Sequence, residues 1–328
     1  MLSELLDGAA TVEPDFESAA VVRARAGAVL RPAGALRRLD ELAIWLAGWQ
    51  RTTRPVVDNP VVAIFGGDHG VASEGVSAYP PSVTAAMVEA LRSGTATAAV
   101  MARHVGARLE VVDVGVGDPT VNIRTGPALT ESQFEHAVGM GGAVVSDLVC
   151  DVLALGEIGI GNTTPAAAIC LALFGGVATD WAGPGTGLDP DGVARKARVV
   201  SEAADRLRDA PPFEVLRQLG GWELSAIAGA AIEARRRSVP VLLDGFVTTA
   251  SVAPLEVARP GFLDHCWPGH VSAEPGHRRL VEMLGRPPIL DLEMRLGEGS
   301  GALSALPLLG LAARSVVDVA TFEEWGLG

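Results

Sequence analysis

The sequence predicts an α/β protein with an open, mostly parallel, Rossmann-like sheet flanked by helices, plus a small helical domain built from the two chain ends. One observation is that short β-branched runs alternate with helical stretches from residue 61 onward, which requires crossover connections. Another is that 48% of the 328 residues are hydrophobic and only 20% are charged. This composition suffices for a large core and fits strands that are buried on both faces.

The two ends of the chain are predicted to be helical. Within residues 1–60, apolar residues recur at spacings of three and four between charged ones; they are Leu36, Leu39, Leu42, Ala43, Leu46 and Ala47. From Ala302 the pattern predicts an apolar helix broken at Pro307, followed by a polar tail. We therefore assign residues 1–60 with 302–328 to a small helical domain and residues 61–301 to a large α/β catalytic domain.

Several short segments are predicted to form the strands of the sheet. They are residues 61–65, 109–114, 152–155, 239–243, 262–266 and 289–292. The loops beside them are rich in glycine, small hydroxyl residues and acids, and such loops from parallel strands gather at one edge of the sheet. Since open α/β sheets bind their ligands at that edge, the sequence predicts an active site there.

Composition and charge exclude several classes of function. The net charge of -13 argues against nucleic acid as a partner, because binding to a phosphate backbone requires a basic face. No run of about 18 apolar residues lacks a charge, glycine or proline, so we predict no membrane-spanning helix and no membrane partner. The acidic start of the chain lacks a signal-peptide layout. Cys150, Cys170 and Cys266 show no CxxC spacing, which favours reduced, buried thiols in a cytoplasmic protein.

Glu298 lies in the most unusual loop of the chain, residues 296–301. Glycines flank it on both sides, an apolar strand-like segment precedes it, and a long apolar helix-like segment follows. A carboxylate at such a junction lies where ligands bind, and apolar walls would raise its pKa toward that of a general base. We interpret Glu298 as a catalytic base. The alternative is a surface turn that contains one glutamate.

A glycine-rich loop at residues 159–165 precedes an alanine-rich helix. Asn162 or Thr163 is predicted to cap that helix, while Gly159 and Gly161 would let backbone N–H groups approach an anion. The helix dipole favours the same anion. We predict that this loop binds a phosphate or carboxylate of the substrate, and the alternative is an ordinary capped helix.

Glu157 lies at the start of the same loop and is expected to face Glu298 across the sheet edge. Two carboxylates at one site suit acid–base catalysis or the stabilisation of a developing cation. We therefore predict that both are catalytic. The alternative is that Glu157 only caps its own loop.

A second glycine loop, residues 183–189, contains Gly185, Thr186 and Gly187 and leads into a helix with an Arg-Lys pair. In so acidic a chain, Lys196 of that pair is a natural partner for a ligand phosphate or carboxylate. These residues are predicted to bind substrate. The alternative for Lys196 is a solvated position on the helix face.

Asp68 and His69 follow the first predicted strand. The chain has no HxxxH, HExxH or Cys/His spacing for a metal, so we predict no metal site and a supporting role for both residues. Asp244 is predicted to bind substrate. Its loop faintly resembles the pyrophosphate-and-ribose loop of phosphoribosyltransferases that use phosphoribosyl pyrophosphate, but it lacks their paired acids, so a magnesium-pyrophosphate donor is not supported.

Taken together, these loops give the chain a resemblance to the nicotinate-nucleotide-dimethylbenzimidazole phosphoribosyltransferase family over nearly its whole length. The matching motifs are residues 68–77, 156–164, 185–189, 244–246, 272–277 and 295–301. The resemblance implies that nicotinate mononucleotide and 5,6-dimethylbenzimidazole give α-ribazole 5'-phosphate and nicotinate, without a cofactor and with inversion at the anomeric carbon. It also implies a homodimer in which a helical domain of one subunit helps to close the site of the other.

The resemblance also implies roles for individual residues. Glu298 matches the general base, which takes the N–H proton of the benzimidazole. Glu157 and Lys196 match positions that line the substrate site, and Ser272 lies in a loop that contacts the nicotinate portion. Because nicotinate leaves from a cationic ring nitrogen, its departure needs no metal, and Glu157 would stabilise the oxocarbenium-like ribose.

Two positions depart from the family pattern. Pro81 stands where many relatives carry a polar residue near the benzimidazole, and Pro184 stands where the glycine loop often has arginine. Both leave Glu298 in place and bear on the acceptor and the phosphate contacts. A different acceptor (another benzimidazole, a purine or a phenol) and a non-catalytic nucleotide-binding protein are the alternatives that remain at this stage.

Overall fold

The structure is a computed structural model that describes residues 2–327, and its centre is a parallel sheet. The sheet has five strands in the order β2-β1-β3-β4-β5. They are β1 (Pro60–Gly67), β2 (Arg108–Gly115), β3 (Val152–Ile158), β4 (Val241–Leu243) and β5 (Cys266–Pro268). A separate parallel pair consists of β6 (His270–Val271) and β7 (Leu290–Asp291). The prediction of an open parallel sheet is confirmed.

Helices connect the strands and cover both faces of the sheet. Among the described residues they are α1 (Leu2–Ala10), α2 (Phe16–Ala28), α3 (Arg37–Gln50), α4 (Val83–Arg92), α5 (Thr97–His104), α6 (Glu131–Asp147), α7 (Thr163–Phe174), α8 (Ala178–Trp181), α9 (Pro190–Asp205), α10 (Pro212–Leu219), α11 (Trp222–Arg236), α12 (Phe246–Ala258), α13 (Pro275–Met283) and α14 (Ser300–Val317). Short 3-10 helices occupy Gly70–Glu74 and Phe262–His265.

The alternation of side chains along β1 divides the interior into two cores. Val61, Ala63 and Phe65 pack into the core beneath α6, α7, α11 and α12, whereas Val62 and Ile64 pack into the core beneath α2, α3, α5 and α14. All these side chains are fully buried, which explains why the strands are continuous apolar runs in the sequence.

The strand order fixes where a ligand can bind. The chain passes from β1 outward to β2 and then returns to place β3 on the other side of β1, so the direction of winding reverses between β1 and β3. At such a switch point the loops that leave the two strands turn apart and open a crevice at their carboxyl ends. Here the crevice lies beyond Gly67 and Ile158.

Three predicted strands differ from the structure. Residues 262–266 form a 3-10 helix followed by the short β5, because Gly261 has a left-handed φ of 83° and the Glu256 carboxylate accepts hydrogen bonds from the N–H groups of Gly261 and Leu263. The strand predicted at 239–243 begins only at Val241. The last predicted strand shrinks to β7 and pairs outside the main sheet.

The prediction that the final helix breaks at Pro307 is wrong, since α14 is continuous from Ser300 to Val317. Its buried side chains, including Leu303, Leu306 and Leu309, pack on α3 and β3, and this packing outweighs the hydrogen bond that proline removes. Among residues 2–327, α14 is the helix that by length and composition alone could span a membrane, but 61% of it is buried inside the protein. We interpret it as a core helix.

The terminal helices pack against one another and against the sheet. Both α2 and α14 contact α3, and Val29 forms an isolated bridge with Thr321 that joins the two chain ends. Helix α14 starts before residue 302, the predicted domain boundary. The division into a small helical domain (1–60 with 302–328) and a catalytic domain (61–301) stays a prediction.

Candidate active site

A cleft opens at the carboxyl ends of the strands, beside the switch point. Its walls come from loops that are far apart in the chain: the loop after β3, the second glycine loop, the start of α12, the segment after β6 and the loop before α14. The lining residues that carry polar side chains are Glu157, Asn162, Thr163, Thr186, His270, Ser272, Glu274 and Arg295. This is the edge at which the sequence predicts the active site.

Glu157 lies at the end of β3 and is only 8% exposed. Its Oε2 accepts a hydrogen bond from the side-chain amide of Asn162. Burial, together with the Asp244, Glu223 and Glu298 carboxylates, raises the pKa of Glu157 to about 8 against the opposing effect of the Asn162 hydrogen bond. The Glu157 carboxyl group is therefore mostly protonated at neutral pH in the empty site.

Asn162 is the N-cap residue of α7, as the sequence predicts, but its side chain does not cap the helix. The amide nitrogen instead turns toward Glu157 and also lies 3.4 Å from Oε1 of Glu223. The amide nitrogen acts here as a donor to the buried carboxyl groups, whereas a cap would use the side-chain oxygen of Asn162 as an acceptor.

Glu223, in the first turn of α11, is a residue that the sequence analysis missed. It is fully buried, and its Oε1 lies 2.6 Å from Nε2 of His69, which is also buried. A Cβ atom at Gly67 would lie 2.7 Å from Oε2 of Glu223, and one at Gly159 would lie 2.6 Å from Oε1. Glycine at these two positions therefore makes the room that Glu223 occupies.

Asp244 lies at the end of β4 beneath the loop that carries Glu298. Its carboxylate accepts hydrogen bonds from the backbone N–H groups of Gly299 (3.1 Å), Gly301 (2.7 Å) and Ala302 (3.2 Å). Burial raises the pKa of Asp244 to about 7 against the effect of these donors. Asp244 thus anchors the start of α14, and its predicted contact with substrate stays a prediction.

Glu298 is 3% exposed and has a left-handed φ of 59°, between Gly297 (81°) and Gly299 (76°). A non-glycine residue held in this conformation costs about 1–3 kcal/mol, a strain that recurs at functional sites. Burial raises the pKa of Glu298, the Asp244 carboxylate raises it further, and the backbone N–H of Ala98 in the first turn of α5 lowers it. Its buried Oε2 has no hydrogen-bond partner within residues 2–327, as expected of an oxygen that awaits a ligand proton.

We call Glu157, Glu223, Asp244 and Glu298 the acidic wall. The Glu298 backbone N–H donates to the Glu157 carbonyl at 3.0 Å, and a Cβ atom at Gly297 would lie 2.7 Å from Oε1 of Glu157, so the two loops are in contact. The Glu157 carboxyl lines the cleft, whereas the Glu298 carboxyl points to the other side of its loop, toward α5. The carboxyl groups of the two predicted catalytic acids thus lie on different sides of the loop that carries Glu298.

A buried cation lies behind Thr163, which lines the cleft. Lys196 is fully buried on α9, and its Nζ donates to Oγ1 of Thr163 at 2.7 Å and to the carbonyl of Gly183 at 3.0 Å. Burial lowers the pKa of Lys196 to about 8, while the Glu274 carboxylate raises it. Thr163 is the first residue of α7, so the ammonium group and a helix N-terminus converge on one point. We call Lys196, Thr163 and residues 183–189 the cationic corner.

The second glycine loop is held by charged side chains from the segment after β6 and from the loop before α14. Gly185 donates its N–H to Glu274 Oε1 at 2.7 Å, and its carbonyl accepts from the Arg295 guanidinium at 2.9 Å. Arg295 therefore brings a cation beside Pro184. The Thr186 hydroxyl lies 3.1 Å from that of Ser77, which ties the loop to the opposite rim.

Ser272 lines the cleft beside two neutral histidines. Its backbone N–H donates to Nδ1 of His277 at 2.8 Å, and burial lowers the pKa of His277 to about 3. Burial also lowers the pKa of His270, which lines the cleft, to about 4. Neither imidazole carries charge at neutral pH, so they shape this side of the cleft without attracting anions.

The other predicted site residues are close to the cleft or support it. Gly159, Asn162, Thr163, Ser272, Gly185 and Thr186 line it, whereas Lys196, Asp244, Gly161 and Gly187 lie behind or beside it.

Asp68 accepts the N–H of Gly117 at 2.8 Å and joins the loops after β1 and β2. Glu274 and Arg295 also line the cleft but were not predicted as site residues. Glu274 lies in the motif 272–277 and Arg295 in the motif 295–301, so membership of these motifs could have identified them. Within residues 2–327, no group of His, Cys, Asp and Glu could hold a metal ion.

The phosphoribosyltransferase family model DBI_PRT matches residues 11–327. The chain belongs to this family. Curated relatives named nicotinate-nucleotide--dimethylbenzimidazole phosphoribosyltransferase include that of Novosphingobium aromaticivorans, 46% identical over 95% of this chain and 93% of the relative. That of Methylorubrum extorquens is 45% identical over 95% of this chain and 92% of the relative.

Solved structures of this phosphoribosyltransferase family agree with the fold. The crystal structure of CobT from Thermus thermophilus has a TM-score of 0.91 and 39% sequence identity, covering 95% of this chain and 99% of that one. The enzyme class and the fold class predicted from the sequence are therefore confirmed. The roles of the individual site residues stay predictions.

Proposed function

We propose that this phosphoribosyltransferase moves the 5-phosphoribosyl group from nicotinate mononucleotide to 5,6-dimethylbenzimidazole, giving α-ribazole 5'-phosphate and nicotinate. The observation that carries the proposal is that one cleft is lined both by the Glu157 carboxyl, which the other members of the acidic wall support, and by Thr163, whose hydroxyl accepts a hydrogen bond from the buried ammonium group of Lys196. Nicotinate mononucleotide has a matching charge distribution, with a phosphate at one end of the ribose and a pyridinium nitrogen at the other. The names of the curated relatives support the same substrates.

The cationic corner would bind the phosphate. Lys196 and Thr163 together offer a buried ammonium group, a hydroxyl and the N-terminus of α7, a set of donors that suits a phosphate oxygen. Arg295 supplies a further cation at the rim of the cleft. With the phosphate held there, the ribose extends toward Glu157, and the nicotinate toward Ser272 and the neutral histidines.

Glu157 would stabilise the ribose as it becomes cationic. The bond between the anomeric carbon and the ring nitrogen breaks, and its electron pair neutralises the pyridinium nitrogen of departing nicotinate. Positive charge then passes to the ribose, where the carboxylate of Glu157 acts from close range in a poorly solvated site. The bound pyridinium favours loss of the proton that burial keeps on Glu157 in the empty site.

Glu298 would act as the general base toward the acceptor. The benzimidazole nitrogen bonds to the anomeric carbon from the face opposite to nicotinate, which converts the β-configuration to α, and its N–H proton passes to Glu298. The buried, unpartnered Oε2 and the raised pKa of Glu298 suit this task. No cofactor is needed in this scheme.

The test is an assay of nicotinate release with a panel of acceptors: dimethylbenzimidazole, other benzimidazoles, purines and phenols. We expect dimethylbenzimidazole to give the highest kcat/KM, with α-ribazole 5'-phosphate as the product by mass spectrometry and NMR. Higher efficiency with another acceptor would change the acceptor and keep the reaction class. Glu298→Ala is expected to bind nicotinate mononucleotide normally but fail to release nicotinate. Wild-type protein that binds the nucleotide without turnover would contradict catalysis.

A homodimer in the cytoplasm completes the proposal. Large apolar side chains are exposed on the terminal segments, including Phe16 (68% exposed) on α2, Leu311 (58%) on α14 and Trp325 (67%) in the turns that follow α14. Surfaces of this kind favour association of subunits. Light scattering after size-exclusion chromatography is expected to give twice the mass of the 33.8 kDa chain. A monomer at micromolar concentration would contradict this part of the proposal alone.

A further inference from the structure

The cleft is supported from behind by a chain of buried polar side chains that reaches from Glu157 to His69. Glu157 Oε2 accepts from the amide of Asn162, the same amide lies 3.4 Å from Oε1 of Glu223, and that oxygen lies 2.6 Å from Nε2 of His69. All four side chains are at most 8% exposed. These hydrogen-bonded side chains connect the loop after β1, the loop after β3 and the first turn of α11.

We propose that Glu223, held by His69, is a positioning residue that sets the orientation of Glu157 through Asn162. The proposal rests on the function proposed above. Glu223 does not line the cleft, so it touches neither substrate. Its carboxylate attracts the Asn162 amide group, so that the two amide hydrogens serve Glu157 and Glu223 at once. The side chain of Asn162 is thereby kept from flipping, and one oxygen of Glu157 is fixed while the other is directed to the cleft.

The surroundings of Glu223 fit such a role better than a simple packing role. Gly67 and Gly159 lie directly against the Glu223 carboxylate. A side chain at either position would collide with that carboxylate. Burying a carboxylate beside Glu157 is electrostatically costly, because the charge of Glu223 opposes ionisation of Glu157. An apolar side chain would fill the same space without that cost, so the carboxylate has a use that packing does not explain.

The decisive experiment is a double-mutant cycle of Glu223→Gln and Glu157→Gln, with kcat and KM for nicotinate mononucleotide measured near pH 8. Glu223→Gln keeps the shape and the acceptor for His69, but removes the charge that orients Asn162. We expect it to lower kcat about 10-fold in the wild-type background and by less than about 2-fold in the Glu157→Gln background, with KM nearly unchanged. Equal losses in both backgrounds, or normal kcat for Glu223→Gln, would overturn the proposal.

The control is Glu233→Gln, which makes the same change on the same helix, where Glu233 forms a surface ion pair with Arg236. Its kcat is expected to match the wild type. A second pair of variants keeps the test usable if Glu223→Gln does not fold. His69→Gln places an amide donor near the position of Nε2 and is expected to retain most activity, whereas His69→Leu is expected to lose about 10-fold in kcat. Equal activity of these two would contradict the role of His69.

A measurement without turnover separates this inference from the proposed function. With carboxyl-labelled glutamate, an NMR titration follows the Glu157 carboxyl group, which is assigned by its loss in Glu157→Gln. We expect the pKa of Glu157 to fall in Glu223→Gln, because one neighbouring negative charge is removed. An unchanged pKa would overturn the inference even in a protein that transfers another group. Normal turnover by wild type and Glu223→Gln alike would overturn the inference and leave the proposed function standing.

Discussion

The acidic wall and the cationic corner are both buried, but burial affects the protonation of their side chains differently. Burial raises the pKa of Glu157 to about 8 and that of Asp244 to about 7, so part of the wall is protonated at neutral pH in the empty enzyme; burial also raises the pKa of Glu298. Burial lowers the pKa of Lys196 to about 8, which still leaves most of it charged at pH 7. At neutral pH the ammonium group of the corner is therefore mostly charged in the empty protein, whereas Glu157 and Asp244 of the wall are only partly ionised.

In the proposed mechanism the acidic wall and the cationic corner act at different stages of the reaction. A phosphate already carries its charge when it binds, so preformed donors at the corner contribute to affinity. The positive charge on the ribose develops only as the glycosidic bond breaks, so a carboxylate near it contributes mainly to kcat. Variants of the wall should accordingly change kcat, and variants of the corner should change KM.

The largest effect is expected for Glu298→Gln, which should lower kcat by about 10²-fold or more, the scale of lost general-base catalysis. The amide keeps the shape of the side chain but cannot accept the acceptor's proton. Glu293→Gln is the matched control, since Glu293 is exposed and also has a left-handed φ, 56°. Steady-state kinetics with saturating acceptor measure both. Near wild-type turnover of Glu298→Gln would refute proton abstraction.

Lys196→Met should impair the cationic corner. It removes the ammonium group and keeps the apolar stem, so we expect KM for nicotinate mononucleotide to rise by about 10- to 100-fold, the value of a charged hydrogen bond. The change in kcat should be smaller. Arg198→Met, an exposed change on the same helix, is the control. A fall in kcat at unchanged KM would place Lys196 in the chemical step instead.

The pH dependence of the two kinetic constants should also distinguish the wall from the corner. Because the pKa of Glu157 is about 8 in the empty site, kcat/KM should rise with pH up to that region, and deprotonation of Lys196 should lower it beyond. In the bound complex the pyridinium lowers the pKa of Glu157, so the acid limb of kcat should lie at lower pH than that of kcat/KM. Profiles of both constants test this, and a flat profile from about pH 5 to 9 would contradict it.

The smallest effect concerns stability. The folded protein holds the proton on Glu157 up to about pH 8, whereas the unfolded chain releases it near the ordinary value of 4.5. The raised pKa therefore stabilises the fold at low pH, and this contribution is lost as pH rises toward 8. Glu157→Gln should then raise Tm by about 2 °C at pH 9 and leave it nearly unchanged at pH 5, while lowering kcat. Thermal unfolding at both pH values, with Glu233→Gln as control, measures the difference. A higher Tm only at pH 5 would reverse the assigned sign.

The sequence predicts the parts of this molecule that depend on pattern. Buried β-branched runs located β1 to β3, and paired glycines singled out Glu298, because only glycine adopts the left-handed backbone freely on either side of it. Pattern failed where tertiary contacts decide. Packing keeps α14 straight through Pro307, and the 3-10 helix at Phe262–His265 depends on a carboxylate from α12.

The least predictable residues were those that act through space. Asn162 is a typical N-cap residue by type. Its contacts with Glu157 and Glu223 become visible only in the folded structure. Glu223 lies in the first turn of an apolar helix, where an acid is common because it interacts favourably with the helix dipole. The sequence therefore gives no sign of a further role. Its position beneath the cleft follows from the docking of α11 against the ends of β1 and β3, which periodicity does not specify.

The loop that carries Glu298 has two faces, and this arrangement matters for anyone who wishes to alter substrate choice. Gly297 closes against Glu157 on the donor face, whereas the Glu298 carboxyl turns toward the first turn of α5 on the other. In the proposed mechanism the incoming base lies on that second face, so substitutions in α4 or α5 are expected to alter its binding and to leave the phosphate contacts intact. An engineer seeking unnatural lower ligands should randomise those helices, together with Pro81, and leave the donor half untouched.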